Sequence, residues 1–219
     1  MLRLLFEKKG NAIWISHLDL MRLFQRAFKR AGFSLTHTKG FNPRPSVSIA
    51  LPLSVGVCSC CELLDFELEE MNVTCDEICH KLNDALVEGV NVLAVYSDGR
   101  KLKELTHLQC EVVLEYDGGV PESAAEQMRE LFAKDELLVT KKSKNGNSEQ
   151  NIIPMIHSCN ILQANDNTIR IQAMICCQNP SLNPSQFVAA IERYLPEFVP
   201  DFSYCSRQEI FDHNFVVFR

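Results

Sequence analysis

Residues 2–32, LRLLFEKKGNAIWISHLDLMRLFQRAFKRAG, decide the reading of the fold. The apolar runs at 2–7 (LRLLFE) and 12–15 (AIWI) read as strands around a Lys8-Lys9-Gly10-Asn11 turn. Ser16 is of N-cap type, and Asp19 stands three positions later. Leu20, Phe24, Ala27, Phe28 and Ala31 recur at helical spacing, which predicts a helix over 17–31 with Gly32 as its stop. Its other face carries Arg22, Arg26, Lys29 and Arg30. The three arginines, at i, i+4 and i+8, form one row.

Outward from this stretch, GFNPRPS at 40–46 is an irregular loop stiffened by two prolines. Residues 47–53 and 62–68 read as paired strands. A helix capped by Thr74, with Glu77 three later, runs over 74–88, and a strand over 90–97. The order β-α-β-β-α-β is the ferredoxin-like split βαβ pattern. The second half repeats it in pattern: a strand at 108–116, a helix at 122–133, an arm at 137–156, a hairpin of 158–163 and 168–177, a helix at 184–195 and a strand at 207–218. The expected class is α+β, with two tandem ferredoxin-like (βαββαβ) subdomains built on antiparallel sheets. Residues 1–100 form a basic N-terminal subdomain. Residues 104–219 form the second, with the lysine-bearing arm at 137–156. The Asp98-Gly99-Arg100 turn marks the boundary, and a single larger α+β domain stays open.

The chain has 219 residues, 46% hydrophobic and 23% charged, which excludes wholesale disorder. No apolar run reaches the roughly 18 residues of a membrane helix. Lys8 and Lys9 follow the first apolar stretch rather than precede it, unlike a signal peptide. The expectation is a soluble cytoplasmic protein without a membrane partner. Net charge is −6, unevenly spread. Residues 1–56 hold nine Lys and Arg (Arg3, Lys8, Lys9, Arg22, Arg26, Lys29, Arg30, Lys39, Arg44) against Glu7 and Asp19. That stretch carries +7 and the remainder −13, a distribution that suits either a face for an anionic partner or pairing within the molecule.

Ten cysteines without a secretory signal read as reduced, mostly buried thiols. Cys58, Cys60, Cys61, Cys75, Cys79 and His80 cluster in sequence, but their C-x-C-C and C-x-x-x-C-H spacings match no common zinc knuckle. No metal site or cofactor is expected. Leu82 stands where a C-x-x-x-C-x-x-C cluster motif would need its third cysteine.

Three segments carry candidate chemistry. His17 and Asp19 are of acid–base type, but two residues apart on a helix they do not face each other. The helix start instead suits an anion site flanked by His17 and Arg44. The loop at 40–46 presents Phe41, Asn42 and Arg44, which suit stacking on a base and holding a phosphate; Phe41 as a core plug stays open. The arm adds Lys141, Lys142 and Lys144 at a hairpin tip.

These segments make the chain resemble the radical-SAM-linked protein family, a bacterial domain of unknown function found beside, or fused to, cobalamin-binding radical-SAM proteins. The resemblance rests on FEKKGNAIWISHLDLMRLFQRAFKRAGF, THTKGFNPRPSVSIALPLSVGV and ELLDFEL, and more loosely on the lysine arm and NIIPMI at 151–156. It implies a stand-alone form whose residues of interest are His17, Asp19, Arg22, Gly40, Phe41, Asn42, Pro43, Arg44 and Pro45, and a radical-SAM protein as partner. It implies no reaction.

Three functions fit. The first is a non-catalytic recognition module that binds RNA or another anionic substrate through the basic first half, using His17, Arg22, Arg26, Arg30, Phe41, Asn42, Arg44, Lys141, Lys142 and Lys144. The second is a metal-independent RNA-processing enzyme resembling CRISPR repeat endonucleases, with His17 or His37 as base. The third is a protein–protein adaptor for a radical-SAM partner, docking through the acidic stretch 62–88.

Overall fold

A computed structural model describes residues 1–69, 72–143 and 146–219, without the side chains of 141–143. The protein is mixed α+β, with four α-helices among the described residues and strands that pair antiparallel. It divides into two compact units, residues 1–102 with Arg219 and residues 103–218.

The first unit runs β1 (Leu2–Lys8), α1 (His17–Arg30), β2 (Val47–Ile49), β3 (Cys58–Phe66), α2 (Cys75–Ala85) and β4 (Val90–Tyr96). Its strands lie in the order β4-β1-β3-β2. Phe66 fixes the register, pairing with Leu2 of β1 on one side and Val47 of β2 on the other. Leu4 and Phe6 of β1 and Leu64 and Phe66 of β3 turn to one face, where they meet Leu20, Phe24, Ala27 and Phe28 of α1 and Ile78 and Leu82 of α2. The Phe6–Phe24 rings meet edge-on at 4.8 Å. Ser16 caps α1 by accepting from the Asp19 amide, and Gly32 at φ +82 ends the turn.

Residues 12–15, expected as a strand, instead form the end of a 3-10 turn over Gly10–Trp14 and its C-cap, Ile15. The cause is Lys8, whose ammonium is fully buried and donates to the Ile13 and Ile15 carbonyls at 3.0 and 2.8 Å. Carbonyls drawn toward one ammonium are not aligned for a ladder. The Lys9 amide bonds to the Gly89 carbonyl, and a Cβ at Gly89 would collide with the Lys9 carbonyl, so only glycine fits there. β3 begins at Cys58, four residues before the position read from the apolar run.

The second unit runs β5 (Leu105–Glu115), α3 (Ala124–Phe132), β6 (Leu138–Ser143), β7 (Gly146–Asn151), β8 (Ile156–Asn165), β9 (Thr168–Cys176), α4 (Ser185–Tyr194) and β10 (Phe202–Asp212). Its main strands lie in the order β10-β5-β9-β8, and β6-β7 forms a separate ribbon. Leu108, Cys110, Val112 and Leu114 alternate inward along β5, as do Ile169, Ile171, Ala173 and Ile175 along β9. Phe132 of α3 meets Phe187 of α4 at 5.1 Å between ring centres. The last strand lies at 202–212 rather than 207–218. The Asp212 carboxylate accepts from the Asn214 and Val216 amides, which turns the chain back on itself.

Candidate functional site

Most of the cations counted in the first 56 residues are already engaged. Arg3 forms a two-pronged pair with Asp65 on the neighbouring strand, at 2.6 and 3.1 Å, and also donates to the Arg100 carbonyl. Lys8 is buried. Lys9 pairs with Glu7 at 2.6 Å. Arg22 pairs with Asp19 at 2.9 Å. Arg30 donates to the Ala85 carbonyl at the end of α2. Arg26, Lys29, Lys39 and Arg44 are exposed, and among the described residues no carboxylate pairs with them.

The loop holding two of these four is clipped at its base. The Thr38 amide donates to the Arg44 carbonyl at 2.8 Å, the Arg44 amide to the Thr38 hydroxyl, and the Ser46 amide to the Thr36 carbonyl. His37 and Pro45 bridge across it. Residues 39–44 between the clips are all exposed, and Phe41 is fully so at 101%. Phe41 is therefore not a core plug: burial would favour it by about 2 kcal/mol or more, and its exposure forgoes that.

Strand register places the loop. The Glu69 amide bonds to the Ser34 carbonyl and the Thr36 amide to the Glu67 carbonyl, so the chain leaving α1 lies beyond Phe66, at the Leu2 end of the sheet. The 3-10 turn, Ser16 and His17 follow Lys8, at the other end. The six-residue rise from Leu2 to Lys8 separates them by roughly 20 Å. The expected anion site flanked by His17 and Arg44 therefore does not form, because the two lie at opposite ends of β1. Arg22 belongs to the His17 end. Arg26 and Lys29, in the second half of α1, lead toward the loop.

Nor do His17 and Asp19 form an acid–base pair. Asp19 accepts from the Ser16 hydroxyl at 2.7 Å and from Arg22, and these two contacts hold its carboxyl below the usual carboxylate range. The His17 Nδ1 is buried without a hydrogen-bond partner among the described residues. His37 is exposed at the base of the loop.

A family model described as "Uncharacterized protein conserved in bacteria (DUF2344)" matches residues 1–184, which include the whole first unit but for Arg219. The chain belongs to this family. No curated protein matches the sequence. Among solved structures, the chain is similar to one in a Cbf5-Nop10-Gar1 complex, with TM-score 0.53 and 9% identity over 95% of this chain and 48% of that one. It is also similar to one in an archaeal box H/ACA sRNP Nop10-Cbf5 complex, with TM-score 0.43 and 9% identity over 94% and 46%. A third likeness, to an unknown protein from Galdieria sulphuraria, has TM-score 0.26 and 14% identity over 94% and 96%. The chain spans about half the length of the first two. At such identity the first likeness speaks to the fold alone.

In this DUF2344 chain the acidic stretch 62–88 is not one continuous acidic surface. Glu62 is buried, Asp65 is held by Arg3, Glu67 accepts from the Thr36 hydroxyl, and Glu77 pairs with Lys81. All ten cysteines are free. Burial pushes the thiols of Cys110 and Cys177 up to about 12 and that of Cys159 up to about 11, away from the reactive thiolate form. The cluster of Cys58, Cys60, Cys61, Cys75, Cys79 and His80 is not assembled: among the described residues, the one group of three close metal-ligating atoms is His107, His157 and Cys176. No sequence motif marks these three, which come from separate strands.

The arm belongs to the second unit. Lys144 lies outside the described residues, as do the side chains of Lys141 and Lys142. The base of the arm is anchored rather than free. The Asn151 side chain accepts from the Leu137 and Ile153 amides, Ile152 is fully buried, and Glu149 pairs with Arg193 at 2.6 Å.

Proposed function

We propose that this DUF2344 chain is a non-catalytic recognition module of the bacterial cytoplasm. It works with a radical-SAM protein and holds RNA on its first unit. One observation carries this reading: four cations without carboxylate partners, Arg26, Lys29, Lys39 and Arg44, lie on the second half of α1 and the clipped loop, together with a fully exposed Phe41. Unpaired cations attract phosphates, and an exposed aromatic ring offers a face on which an unpaired base stacks. Asn42 supplies hydrogen-bonding groups on the same loop. Arg22 and Arg30 are secondary, because each has a partner to leave. The radical-SAM partner rests on the resemblance of the SHLDLMR and GFNPRP segments. In the same reading each unit is a ferredoxin-like subdomain, 1–100 and 104–219, supported by the orders β4-β1-β3-β2 and β10-β5-β9-β8, which follow one scheme.

The test is filter binding of total bacterial RNA across a salt series. Affinity should fall linearly with salt on logarithmic axes. Arg26→Ala and Arg44→Ala should each flatten the slope by roughly 0.7–0.9. Arg22→Ala should flatten it less. Phe41→Ala should weaken binding by about 1–3 kcal/mol and leave the slope unchanged. No retention of RNA at the lowest salt, or equal losses from all three arginines, overturns the reading.

A further inference from the structure

The second unit brings together three ligand-type side chains that the reading above does not use. His107 on β5 stands directly across from Cys176 on β9. On the next strand, β8, the register with β9 shifts between Ile156 and Ser158, and the residue at that bulge is His157. A bulge re-aims a side chain, and here the His157 ring reaches both partners. His157 Nε2 lies 2.8 Å from His107 Nε2 and 3.4 Å from the Cys176 sulfur, and the three ligand atoms all fall within 4.8 Å of one another.

The surroundings orient the first ligand. His107 is buried, and its Nδ1 lies 3.1 Å from the Asp212 carbonyl and 2.8 Å from the Thr106 hydroxyl. A carbonyl only accepts, so the proton sits on Nδ1 and the Nε2 lone pair points into the cluster. This is the arrangement by which proteins present an imidazole to a metal. The Phe215 ring covers the group, 4.6 Å from His107 and 5.5 Å from His157. Phe215 adopts φ +59, an unusual backbone for a bulky residue. The turn in which Asp212 bonds to the Asn214, Phe215 and Val216 amides holds it there. On the other side, His157 is exposed and lines a cleft of about 290 Å³ with Arg129, Phe132, Ile153 and Ile161.

We propose that His107, His157 and Cys176 form a binding site for a transition-metal ion of borderline softness, zinc above all, with a fourth position left for water or an added ligand. Two imidazoles and a thiolate suit zinc, whereas magnesium and calcium prefer oxygen ligands. Tetrahedral bonds of about 2.0–2.3 Å ask the two nitrogens to open by about half an ångström. His157, on an exposed strand, can move by that much. On binding, the Cys176 thiol gives up its proton to solvent; the proton between the two imidazoles leaves His157 Nε2 while another is taken up at its Nδ1, so one proton is released net.

The experiment uses the full chain, stripped with chelator, kept reduced, titrated with cobalt(II) and then displaced with zinc. The expected result is one cobalt ion per chain, a thiolate-to-cobalt charge-transfer band, proton release on binding, and loss of the band when zinc is added. Cys176→Ser should abolish the band, and His157→Asn should weaken binding by about tenfold or more while the circular dichroism stays that of the parent. The His157 variant keeps the test decisive if Cys176→Ser folds poorly, because His157 is not a core residue. Absence of stoichiometric binding overturns the proposal. So does a band that survives Cys176→Ser, which would assign the metal to other thiols. RNA binding by the first unit is read separately and does not depend on the outcome.

Discussion

Arg3 faces Asp65 across the two central strands of the first unit, and His107 faces Cys176 across the two central strands of the second. The first pair is closed: a guanidinium and a carboxylate satisfy each other, and the Arg100 carbonyl takes a further donor. The second pair is open, since an imidazole and a thiol leave a lone pair and an acidic proton, and a bulge brings a third ligand beside them. The connection between the first helix and the second main strand differs in the same way. In the first unit it is the clipped loop with Phe41 and Arg44 in solvent. In the second it is the β6-β7 arm, with Ile152 buried and the Tyr194 hydroxyl donating to the Leu138 carbonyl at 2.9 Å. One order of elements thus recurs in both units, and what separates them is how the side chains across the central strands pair and how the connection is held.

The comparison breaks most readily at the closed pair. Asp65→Ala leaves the buried Arg3 guanidinium without its carboxylate and should cost about 3–5 kcal/mol in urea unfolding, and replacing both Arg3 and Asp65 by apolar residues should recover much of that. Cys176→Ala, at the open pair, should cost much less in the metal-free chain; equal losses would erase the distinction. Next come the two connections. Ile152→Ala should destabilise by about 2–4 kcal/mol, whereas Phe41→Ala should move stability by less than about 0.5 kcal/mol, because it removes no packing. Ser16→Ala, which removes the cap of α1, should cost about 1 kcal/mol by the same measurement. The smallest effect is at Glu7, whose carboxyl is lowered first by the Lys9 hydrogen bond, with a further contribution from Asn91. A lowered carboxyl stabilises above its ordinary range and loses that contribution as pH falls through the folded value. Lys9→Met should therefore reduce the loss of stability below about pH 4, by less than about 1 kcal/mol since Lys9 is half exposed.

Helices α1 and α2 were legible because their apolar spacing is regular and cap residues, Ser16 and Thr74, open them. The hairpin of β8 and β9 was legible from its Asn165-Asp166-Asn167 turn. The reading failed where one side chain reorganises the backbone. Residues 12–15 have strand composition, yet the buried Lys8 ammonium draws their carbonyls into a turn. The last strand ends early because Asp212 captures two amides beyond it. At the candidate site the sequence shows Arg22, Arg26 and Arg30 alike in spacing; that Arg22 is engaged by Asp19 and Arg30 by the end of α2, while Arg26 has no ion pair among the described residues, was not legible. His107, His157 and Cys176 gave no signal, being isolated residues on strands whose neighbours in space are distant in sequence.

Local periodicity and end chemistry, which act within a turn or two of the chain, settled by themselves the four helices and most of the strands, and composition settled that positive charge gathers in the first 56 residues. Tertiary structure decided which charges are spent inside the molecule, which end of the sheet holds the loop, and which thiol meets two imidazoles. Those outcomes depend on strand register, and register is set by pairings such as Leu2 with Phe66 that no local pattern encodes.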